Sequence, residues 1–354
     1  NTTASNNTAV GKSALAANTT GETNNTAIGY YALAANTTGD SNIAVGWNAL
    51  KANTTGYYNN GIGRSAITAN TTGVHNIALG SDALMTNTTG GSNVAVGNYS
   101  LTANTTASDN TAIGFGALVT NTTGFRNTAI GYHALRYNTT AYYNNAFGYD
   151  ALGAVTTGIS NIGIGKSAGY NITDGTRNIC IGLDARTSSP GGYDQIVFGE
   201  NVVGSTHTTL TFGRAGSDTT CSFGSTSWSA PSDQRLKEEI TTATAGLSFV
   251  NDLRPVTFKW KKEKDIPTDL AGYKEGSETR FKTDTTEHGF IAQEVKTVID
   301  AHSEIKDGFD MWSEDDNGRQ RLADSSLVPM LVKAIQELST ENEALKARLT
   351  AGGL

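Results

Sequence analysis

Ser232 stands five residues before Lys237 in the segment 232–237, which reads Ser-Asp-Gln-Arg-Leu-Lys. A neutral lysine amine can take the proton of a serine hydroxyl, and the freed oxygen can then attack a carbonyl carbon. The same residues also fit a helix start, with Ser232 as the N-cap, Asp233 in the first turn and Lys237 solvated. Spacing alone favours the helix start, so the surrounding sequence has to decide between the two interpretations.

This segment lies at the sharpest change of composition in the chain. The sequence before it is repetitive and rich in Gly, Asn and Thr, whereas the sequence after it is charged and compatible with helices. A chain of 354 residues has room for two or three domains. We therefore predict repeats over 1–200, a β-rich neck over 201–231 and an α+β domain over 232–354.

Shorter patterns predict elements inside these regions. Alternating apolar and polar residues predict strands over 208–213 and 219–223 in the neck. In the last domain we predict a strand over 256–260 and helices over 288–300 and 325–351.

Composition excludes several classes of function. The net charge is -7 and no basic stripe is present, which argues against binding to nucleic acid. No apolar run is long enough to span a bilayer, so we expect no membrane insertion. Two cysteines cannot form a disulfide framework, and Cys180 occupies a repeat position that is usually Ala, which indicates a small buried residue. We predict neither a metal nor a cofactor.

The first 200 residues repeat with a period of 17, which is visible when one glycine of each copy is aligned. After a first step of 18, these glycines are Gly11, Gly29, Gly46, Gly63, Gly80, Gly97, Gly114, Gly131, Gly148, Gly165, Gly182 and Gly199. A large apolar residue stands directly before each glycine, Asn stands four residues before it in eleven copies, and Leu or Ile follows four residues after most of them. A fixed period indicates one structural unit stacked on itself.

Each repeat is too short for the two helices of a helical solenoid, and Asn-Thr-Thr-Gly turns interrupt it. We predict a β-solenoid with two short strands per coil, Asn-Thr-Thr-Gly at one corner and the aligned glycine near the other. Identical residues would stack ~4.8 Å apart, so the apolar positions form inner ladders and the Asn positions form an amide ladder. The Asn-Thr-Thr triplets are formal glycosylation sites, but their place at a fixed corner favours turn and ladder residues.

One coil supplies only about two or three apolar side chains, which is too little to offset the ordering of its backbone, so we expect self-association. The C-terminal segment supports this independently, because its apolar residues alternate at spacings of three and four as in a coiled coil. These residues are Val328, Leu331, Ile335, Leu338, Asn342, Leu345 and Leu349, with Asn342 as a polar residue able to set the register. One face of a helix packed on a globular core would show a similar pattern.

Several blocks after residue 231 occur in the order of a known family. Leu-Arg-Pro-Val at 253–256 is followed by Phe258 and Trp260, by His-Gly-Phe-Ile-Ala-Gln-Glu-Val at 288–295, and by the heptad helix. Together with the segment 232–237, they resemble the intramolecular chaperone domain of phage tail spikes and fibres, the endosialidase chaperone or peptidase S74 family. The resemblance implies a homotrimer whose C-terminal domain chaperones assembly and then cleaves itself off.

The resemblance also implies roles for single residues. Cleavage would fall between Pro231 and Ser232, with Ser232 as the nucleophile, Lys237 as the base that activates it and His288 in support. A buried structural histidine at 288 is an equal alternative. The implied protein is a receptor-binding fibre of a virion tail. Because the sequence begins inside a repeat at Asn1, we expect an upstream virion-attachment region.

The repeats carry a second resemblance. Their Asn-x-Ala-Ile-Gly core is similar to the head repeats of trimeric autotransporter adhesins of the YadA type, which implies a left-handed parallel β-roll in a trimer. Aromatic residues such as Tyr30, Trp47 and Tyr132 follow the glycines and can stack on a host surface polysaccharide or form the contact between rolls. Acidic residues recur at no fixed position, so no hydrolase pair is predicted. A surface depolymerase and a cellular adhesin with the same chaperone domain are alternatives to the fibre.

Overall fold

A computed structural model describes residues 5–18, 23–225, 227–230, 232–268, 270, 272–306, 309–315 and 318–352. The chain folds into two compact units, Asn1–Asp233 and Gln234–Leu354. The first unit is mainly β, and the second is a small β/α region that ends in a long helix.

In the described part of the first unit, fourteen strands form one sheet in which sequence neighbours are also spatial neighbours. The strands are β1 (Thr8–Val10), β2 (Thr26–Ile28), β3 (Ile43–Val45), β4 (Asn60–Ile62), β5 (Ile77–Leu79), β6 (Val94–Val96), β7 (Thr111–Ile113), β8 (Thr128–Ile130), β9 (Asn145–Phe147), β10 (Ile162–Ile164), β11 (Ile179–Ile181), β12 (Gln195–Glu200), β13 (Thr209–Arg214) and β14 (Ser217–Ser222). Successive strands from β1 to β12 pair in parallel, so that Ile43 lies opposite Asn60 and Asn60 opposite Ile77. The predicted parallel β-solenoid, with about twelve coils of 17 residues, is confirmed.

The sheet continues into the predicted neck. Strand β13 adds in parallel, with Phe212 opposite Phe198, and β14 turns back antiparallel along β13. The two predicted neck strands are therefore confirmed, with their bounds shifted by one or two residues. Strand β14 pairs with the edge of β13, which would otherwise present unpaired N–H and C=O groups.

Each described coil contains one strand, of three residues from β1 to β11 and of six in β12, and the prediction of two strands per coil is wrong. The remainder of the coil runs through turns whose N–H groups still bond to the next coil. Leu50 N–H donates to the Ala66 carbonyl at 3.0 Å, and Thr54 N–H donates to the Thr71 carbonyl at 2.9 Å. Leu50 has a φ of 50°, a left-handed conformation that cannot continue a strand. Such a residue costs about 1–2 kcal/mol, which the burial of its side chain offsets.

Alanine and leucine fill the interior of the coils. Ala27 and Leu33 are fully buried, whereas Ile28, directly before the aligned glycine, is 40% exposed. In a three-residue strand the central side chain points to one face and its two neighbours point to the other. The prediction that the residue before the glycine faces inward is therefore wrong, and these residues form an outer apolar row. The Leu or Ile four residues after the glycine lies inside, as predicted.

The aligned glycine is required by space as well as by conformation. Gly46 has a φ of +138°, and a Cβ atom there would lie 2.4 Å from the carbonyl oxygen of Gly63 in the next coil. A side chain at this position would push neighbouring coils apart, since backbone atoms cannot yield by that much. The glycine therefore sets how closely the coils stack.

Two rows of buried asparagine link the coils. In the first row, Asn42 N–H donates to Oδ1 of Asn25 at 2.8 Å, and Nδ2 of Asn42 donates to the Gly56 carbonyl at 2.9 Å. In the second row, Nδ2 of Asn53 donates to Oδ1 of Asn36 and to the Gly56 carbonyl, both at 2.9 Å. The predicted amide ladder is confirmed, and the Asn-Thr-Thr asparagines form a second one.

Burial also distinguishes between the two interpretations of the Asn-Thr-Thr triplets, as glycosylation sites or as turn and ladder residues. The Asn-Thr-Thr asparagines, such as Asn53 and Asn70, are fully buried and cannot be reached by a glycosylating enzyme once the coil has folded. Their interpretation as turn and ladder residues is confirmed.

Cys180 is fully buried in the same core, and burial raises the pKa of its thiol to about 12. It therefore packs as a small apolar residue, as predicted.

The second unit contains three α-helices and two pairs of strands over its described residues. These are α1 (Leu247–Asp252), β15 (Val256–Phe258), β16 (Glu287–Gly289), α2 (Ala292–Ala301), β17 (Trp312–Glu314), β18 (Gln320–Leu322) and α3 (Val328–Ala351). Strand β15 pairs with β16, and β17 pairs with β18. The core is formed by Ala245, Phe249, Leu253, Val295, Ile299, Met311 and Leu327.

The predicted elements of this unit are found with one correction. The helix predicted over 288–300 begins only at Ala292, because residues 287–289 pair as a strand with 256–258. The predicted C-terminal helix is confirmed as α3, with Pro329 in its first turn, where a missing N–H is tolerated. In the ranges that the structure describes, no helix is both long and apolar enough to cross a membrane.

Candidate cleavage site and chaperone region

Ser232, the predicted nucleophile, is an exposed residue at the end of the first unit, which closes at Asp233. Pro231, the predicted residue on the other side of the scissile bond, lies outside the described residues. Upstream of both, the Ser229 N–H donates to the Thr220 carbonyl at 2.9 Å, so the described chain pairs with β14 up to this point. The candidate bond therefore follows directly on the end of the ordered sheet.

Lys237, the predicted base, is exposed and belongs to the second unit. It follows a short 3-10 helix, Gln234–Leu236, and its N–H donates to the Gln234 carbonyl at 3.1 Å. The alternative interpretation makes Ser232 the N-cap of a helix with Asp233 in its first turn. Over the described part of the second unit, the first α-helix begins only at Leu247, so that alternative is not supported.

His288 lies on strand β16 with an exposed side chain, opposite Thr257 of strand β15. A cleft of about 470 Å³ opens beside it and is lined by Pro255, Val256, Thr257, His288, Gly289 and Phe290. The alternative of a buried structural histidine is therefore wrong. The imidazole is open to solvent and accessible to a group that enters this cleft.

The structure joins two of the sequence blocks that carry the resemblance. Strands β15 and β16 pair residues 256–258 with residues 287–289. Arg254 forms a bidentate ion pair with Glu294, in which Nε of Arg254 donates to Oε2 of Glu294 at 3.0 Å. This pair raises the pKa of the Arg254 guanidinium and lowers that of the Glu294 carboxyl, in both cases mainly through the hydrogen bond between them. The block at 253–256 is thus held against the block at 288–295.

Comparison with protein families identifies the region that contains these blocks. The family model Peptidase_S74, chaperone of endosialidase, matches residues 232–304. Residues 232–304 form a chaperone-of-endosialidase domain. The match begins at Ser232 and contains Lys237 and His288, the three residues singled out for cleavage. Neither the curated proteins nor the solved structures that were compared with this chain gave a match.

Inside the chaperone domain, His302 lies between two carboxylates from different segments. Its Nε2 is 2.9 Å from Asp252 at the end of α1, and its Nδ1 is 2.9 Å from Glu304. The ring also packs edge-on against Phe249, with centroids 5.4 Å apart. The hydrogen bonds to Glu304 and then to Asp252 raise the pKa of His302. The sequence does not reveal this cluster because Asp252 and His302 are 50 residues apart.

Helix α3 follows the chaperone domain and packs on it at one end. Its Ala334 is buried, and the carboxylate of Glu337 accepts the Leu247 N–H at the start of α1 at 2.7 Å. The predicted coiled-coil positions are all exposed in the single chain, and Ile335 is 65% exposed. The exposed members are Val328, Leu331, Ile335, Leu338, Asn342, Leu345 and Leu349. The pattern is therefore not explained by packing of α3 on its own domain.

The aromatic residues predicted to bind sugars all lie on the outside of the solenoid. Tyr30 and Trp47 are exposed, and Tyr30 packs edge-on against Tyr31. Tyr132 stacks on Phe115 at 5.5 Å and on Tyr149 at 5.2 Å, in a column that spans three coils. These rings are available to a ligand, and their role in sugar binding stays a prediction. Over the described residues, no group of three or more His, Cys, Asp or Glu side chains is placed to hold a metal ion.

Proposed function

We propose that this protein is a homotrimeric fibre of a virion tail, whose C-terminal domain chaperones assembly and then removes itself by cleavage before Ser232. The observation that carries the proposal is the start of the family match at residue 232. The boundary between the two compact units lies two residues further on, between Asp233 and Gln234. A cut before Ser232 would leave both parts with complete cores of their own.

Exposed apolar surface supports association of the solenoids. The outer row contains Val10, Ile28, Ile62, Leu79, Ile113, Phe147, Ile164, Phe198 and Phe212, all of them exposed in the single chain. A continuous apolar row along a whole solenoid is more than soluble monomers usually present. We assign this row to the contact between three chains, which leaves Tyr30, Trp47 and Tyr132 for a ligand.

The C-terminal helix supports association at the other end of the chain. Its exposed residues follow the heptad spacing, and Asn342 is the polar member that can set the register. Parallel solenoids pair through non-local contacts, which form slowly and are prone to slip. A coiled coil that first holds three chains in register would reduce such errors, and this is the chaperone role that we propose for α3 and its domain.

Cleavage follows from the position of Ser232 next to the bond. Its hydroxyl oxygen attacks the carbonyl carbon of residue 231, the C–N bond breaks, and the amine of Ser232 takes up a proton. Water then hydrolyses the ester. The reaction is intramolecular, so geometry supplies much of its rate. Lys237 accepts the hydroxyl proton, for which its amine must be neutral, and desolvation favours the neutral form. Since Lys237 is exposed in the single chain, we propose that assembly buries it and thereby couples cleavage to correct trimerisation.

A denaturing gel tests this proposal. The wild-type chain is expected to run as two fragments, whereas Ser232→Ala and Lys237→Ala stay at full length because nucleophile or base is lost. Ser229→Ala, which changes a nearby serine outside the site, serves as the matched control and is expected to be cut like the wild type. A Ser232→Ala chain that is cut as completely as the wild type would contradict the assignment.

We also propose that the solenoid of the assembled fibre binds a host cell-surface polysaccharide. Exposed aromatic rings support this role, because their apolar faces can stack on the C–H face of a pyranose ring while leaving the sugar hydroxyls hydrated. Trp47, Tyr30 and Tyr132 are the residues that we assign to it.

A further inference from the structure

A column of side chains on the outer surface follows each Asn-Thr-Thr-Gly corner, and it is interrupted at one place. One position per coil contributes to this corner column, which reads Tyr57, Val74, Gly91, Ser108, Phe125, Tyr142 and Ile159. Phe125 stacks on Tyr142 of the following coil, with centroids 4.9 Å apart and ring planes 7° apart. In the preceding coil the column has only Ser108, and the Arg126 guanidinium lies over the Phe125 ring.

The small side chain of Ser108 leaves a cleft beside Phe125. The cleft has a volume of about 290 Å³, and its lining includes Thr106, Ser108, Asp109, Thr123, Phe125 and Arg126. Its size suits a single sugar ring, and its walls combine one aromatic face with several hydroxyl groups. The corner column is otherwise filled on either side of it, by Val74 before Gly91 and by Tyr142 after Phe125.

Two charged groups stand at the same cleft. Arg126 lies 3.6 Å from the carboxylate of Asp109 and donates to the Tyr143 hydroxyl at 2.5 Å. Its guanidinium carbon is 5.7 Å from the centre of the Phe125 ring, so a ligand on that ring is within its reach. Both charged side chains are about half exposed, which leaves each of them able to bond a ligand as well.

We propose that this cleft binds one neutral hexopyranose unit of a polysaccharide. The C–H face of the sugar stacks on Phe125, while neighbouring hydroxyls donate to Asp109 and accept from Arg126. An acidic sugar is disfavoured because its carboxylate would meet that of Asp109. The site lies on a different column from Tyr30, Trp47 and Tyr132, and it rests on the proposed saccharide-binding role of the fibre.

The test measures binding of sugar probes to the full chain by isothermal titration and by saturation-transfer NMR. The probes are the methyl glycosides of glucose, galactose and mannose, with methyl glucuronide as the acidic probe. At least one neutral glycoside is expected to bind, and methyl glucuronide is expected to bind more weakly. Phe125→Ala is expected to weaken binding about tenfold, which corresponds to loss of one buried aromatic face. Tyr57→Ala, at the far end of the same column, is the matched control and should leave binding unchanged.

A second variant fills the cleft instead of enlarging it. Ser108→Phe would extend the aromatic column over Phe125 and abolish binding. It removes the hydrogen bond from the Gly91 N–H to the Ser108 hydroxyl, but it should keep the solenoid folded, as measured by a cooperative thermal transition. Unchanged binding by both Phe125→Ala and Ser108→Phe would overturn the inference. If Trp47→Ala or Tyr132→Ala abolished binding in that case, the saccharide role would stand at another column. If no probe bound to the wild-type chain, both the cleft and the saccharide role would fail, while trimerisation and cleavage would be unaffected.

Discussion

Buried amide groups hold this solenoid together at the scale of single residues. A coil with a narrow interior has many backbone groups out of reach of water, and each of them needs a partner. The two asparagine rows supply these partners repeatedly, as when Asn76 donates to the Gly90 carbonyl at 2.9 Å and its Oδ1 accepts the Asn93 N–H at 3.1 Å. The asparagines are therefore structural residues that bond the backbone of neighbouring coils.

Replacement of Asn76 by Ala is expected to lower the free energy of unfolding by about 2–4 kcal/mol. The change leaves the buried Asn93 N–H without its partner, which costs about 1–3 kcal/mol, and it removes one of the two amide hydrogen bonds to the Gly90 carbonyl, the other coming from Asn87. Thermal or chemical unfolding of the full chain measures the effect. Thr72→Ala, at an exposed residue of the neighbouring corner, is the control and should change stability little. A loss at Asn76 no larger than that of the control would contradict the ladder account.

His302 predicts a dependence of the chaperone domain on pH. Its pKa is raised in the folded chain by Glu304 and Asp252, so protonated His302 stabilises the fold. This contribution is fully present below the ordinary histidine pKa of about 6.5 and is lost as the pH rises through the folded pKa. The end of α1, residues 247–252, should therefore exchange its amide hydrogens faster, relative to the intrinsic rate, as the pH increases from 6 to 9.

The matched variants for this prediction are His302→Gln and His288→Gln. His302→Gln should remove the pH dependence of protection in α1, because no charged form is left to interact with the two carboxylates. His288→Gln changes an exposed histidine of the same domain and should keep the dependence. A pH profile of His302→Gln that equals that of the wild type would refute the assignment.

At the scale of elements, the solenoid coil and helix α3 both leave apolar side chains without a partner in the single chain. In the coil, the reason is the three-residue strand, which buries its central alanine and turns the residue before the glycine outward. In α3, only the N-terminal part packs on α1, and the heptad residues further along are exposed. Both surfaces are continuous over several turns or coils, as expected of contacts between copies of one chain.

The double substitution Ile335→Asp and Leu338→Asp is expected to prevent assembly. A carboxylate buried in a coiled-coil seam without a partner costs several kcal/mol, so three chains in contact would meet this cost repeatedly. Analytical ultracentrifugation at micromolar concentration should show monomers or aggregates in place of trimers. Thr340→Asp with Ala347→Asp adds the same charge on the same helix away from the seam, and this control should stay trimeric. A trimer formed by the seam variant would show that α3 is not the assembly element.

At the scale of the whole molecule, the repeat was the most predictable feature. A period of 17 with fixed Gly and Asn positions is enough to predict stacked coils and an amide ladder, because identical residues must then lie above one another. The number of strands per coil was not predictable in this way, since it depends on Leu50 and its equivalents adopting a positive φ. Apolar character alone also could not tell inward from outward positions, so the side chain at Ile28 was assigned to the wrong face.

In the candidate site, too, residues in short sequence motifs could be predicted, whereas contacts between distant segments could not. Ser232, Lys237 and His288 belong to short sequence blocks, and these blocks were recognisable without a structure. The Arg254–Glu294 pair and the His302 cluster join segments 40 and 50 residues apart, and only the fold brings them together. The cleft beside Phe125 arises because the column has Ser108 in place of an aromatic residue. This can be recognised only once the coils are stacked.

The central claim is that three chains assemble and that each is then cut before Ser232. Mass spectrometry of the purified protein, under native and then denaturing conditions, tests both parts in one sample. We predict a complex of three copies under native conditions and, on denaturation, two fragments whose masses correspond to residues 1–231 and 232–354. A monomer that retains the full chain mass of 37.1 kDa under both conditions would contradict the account.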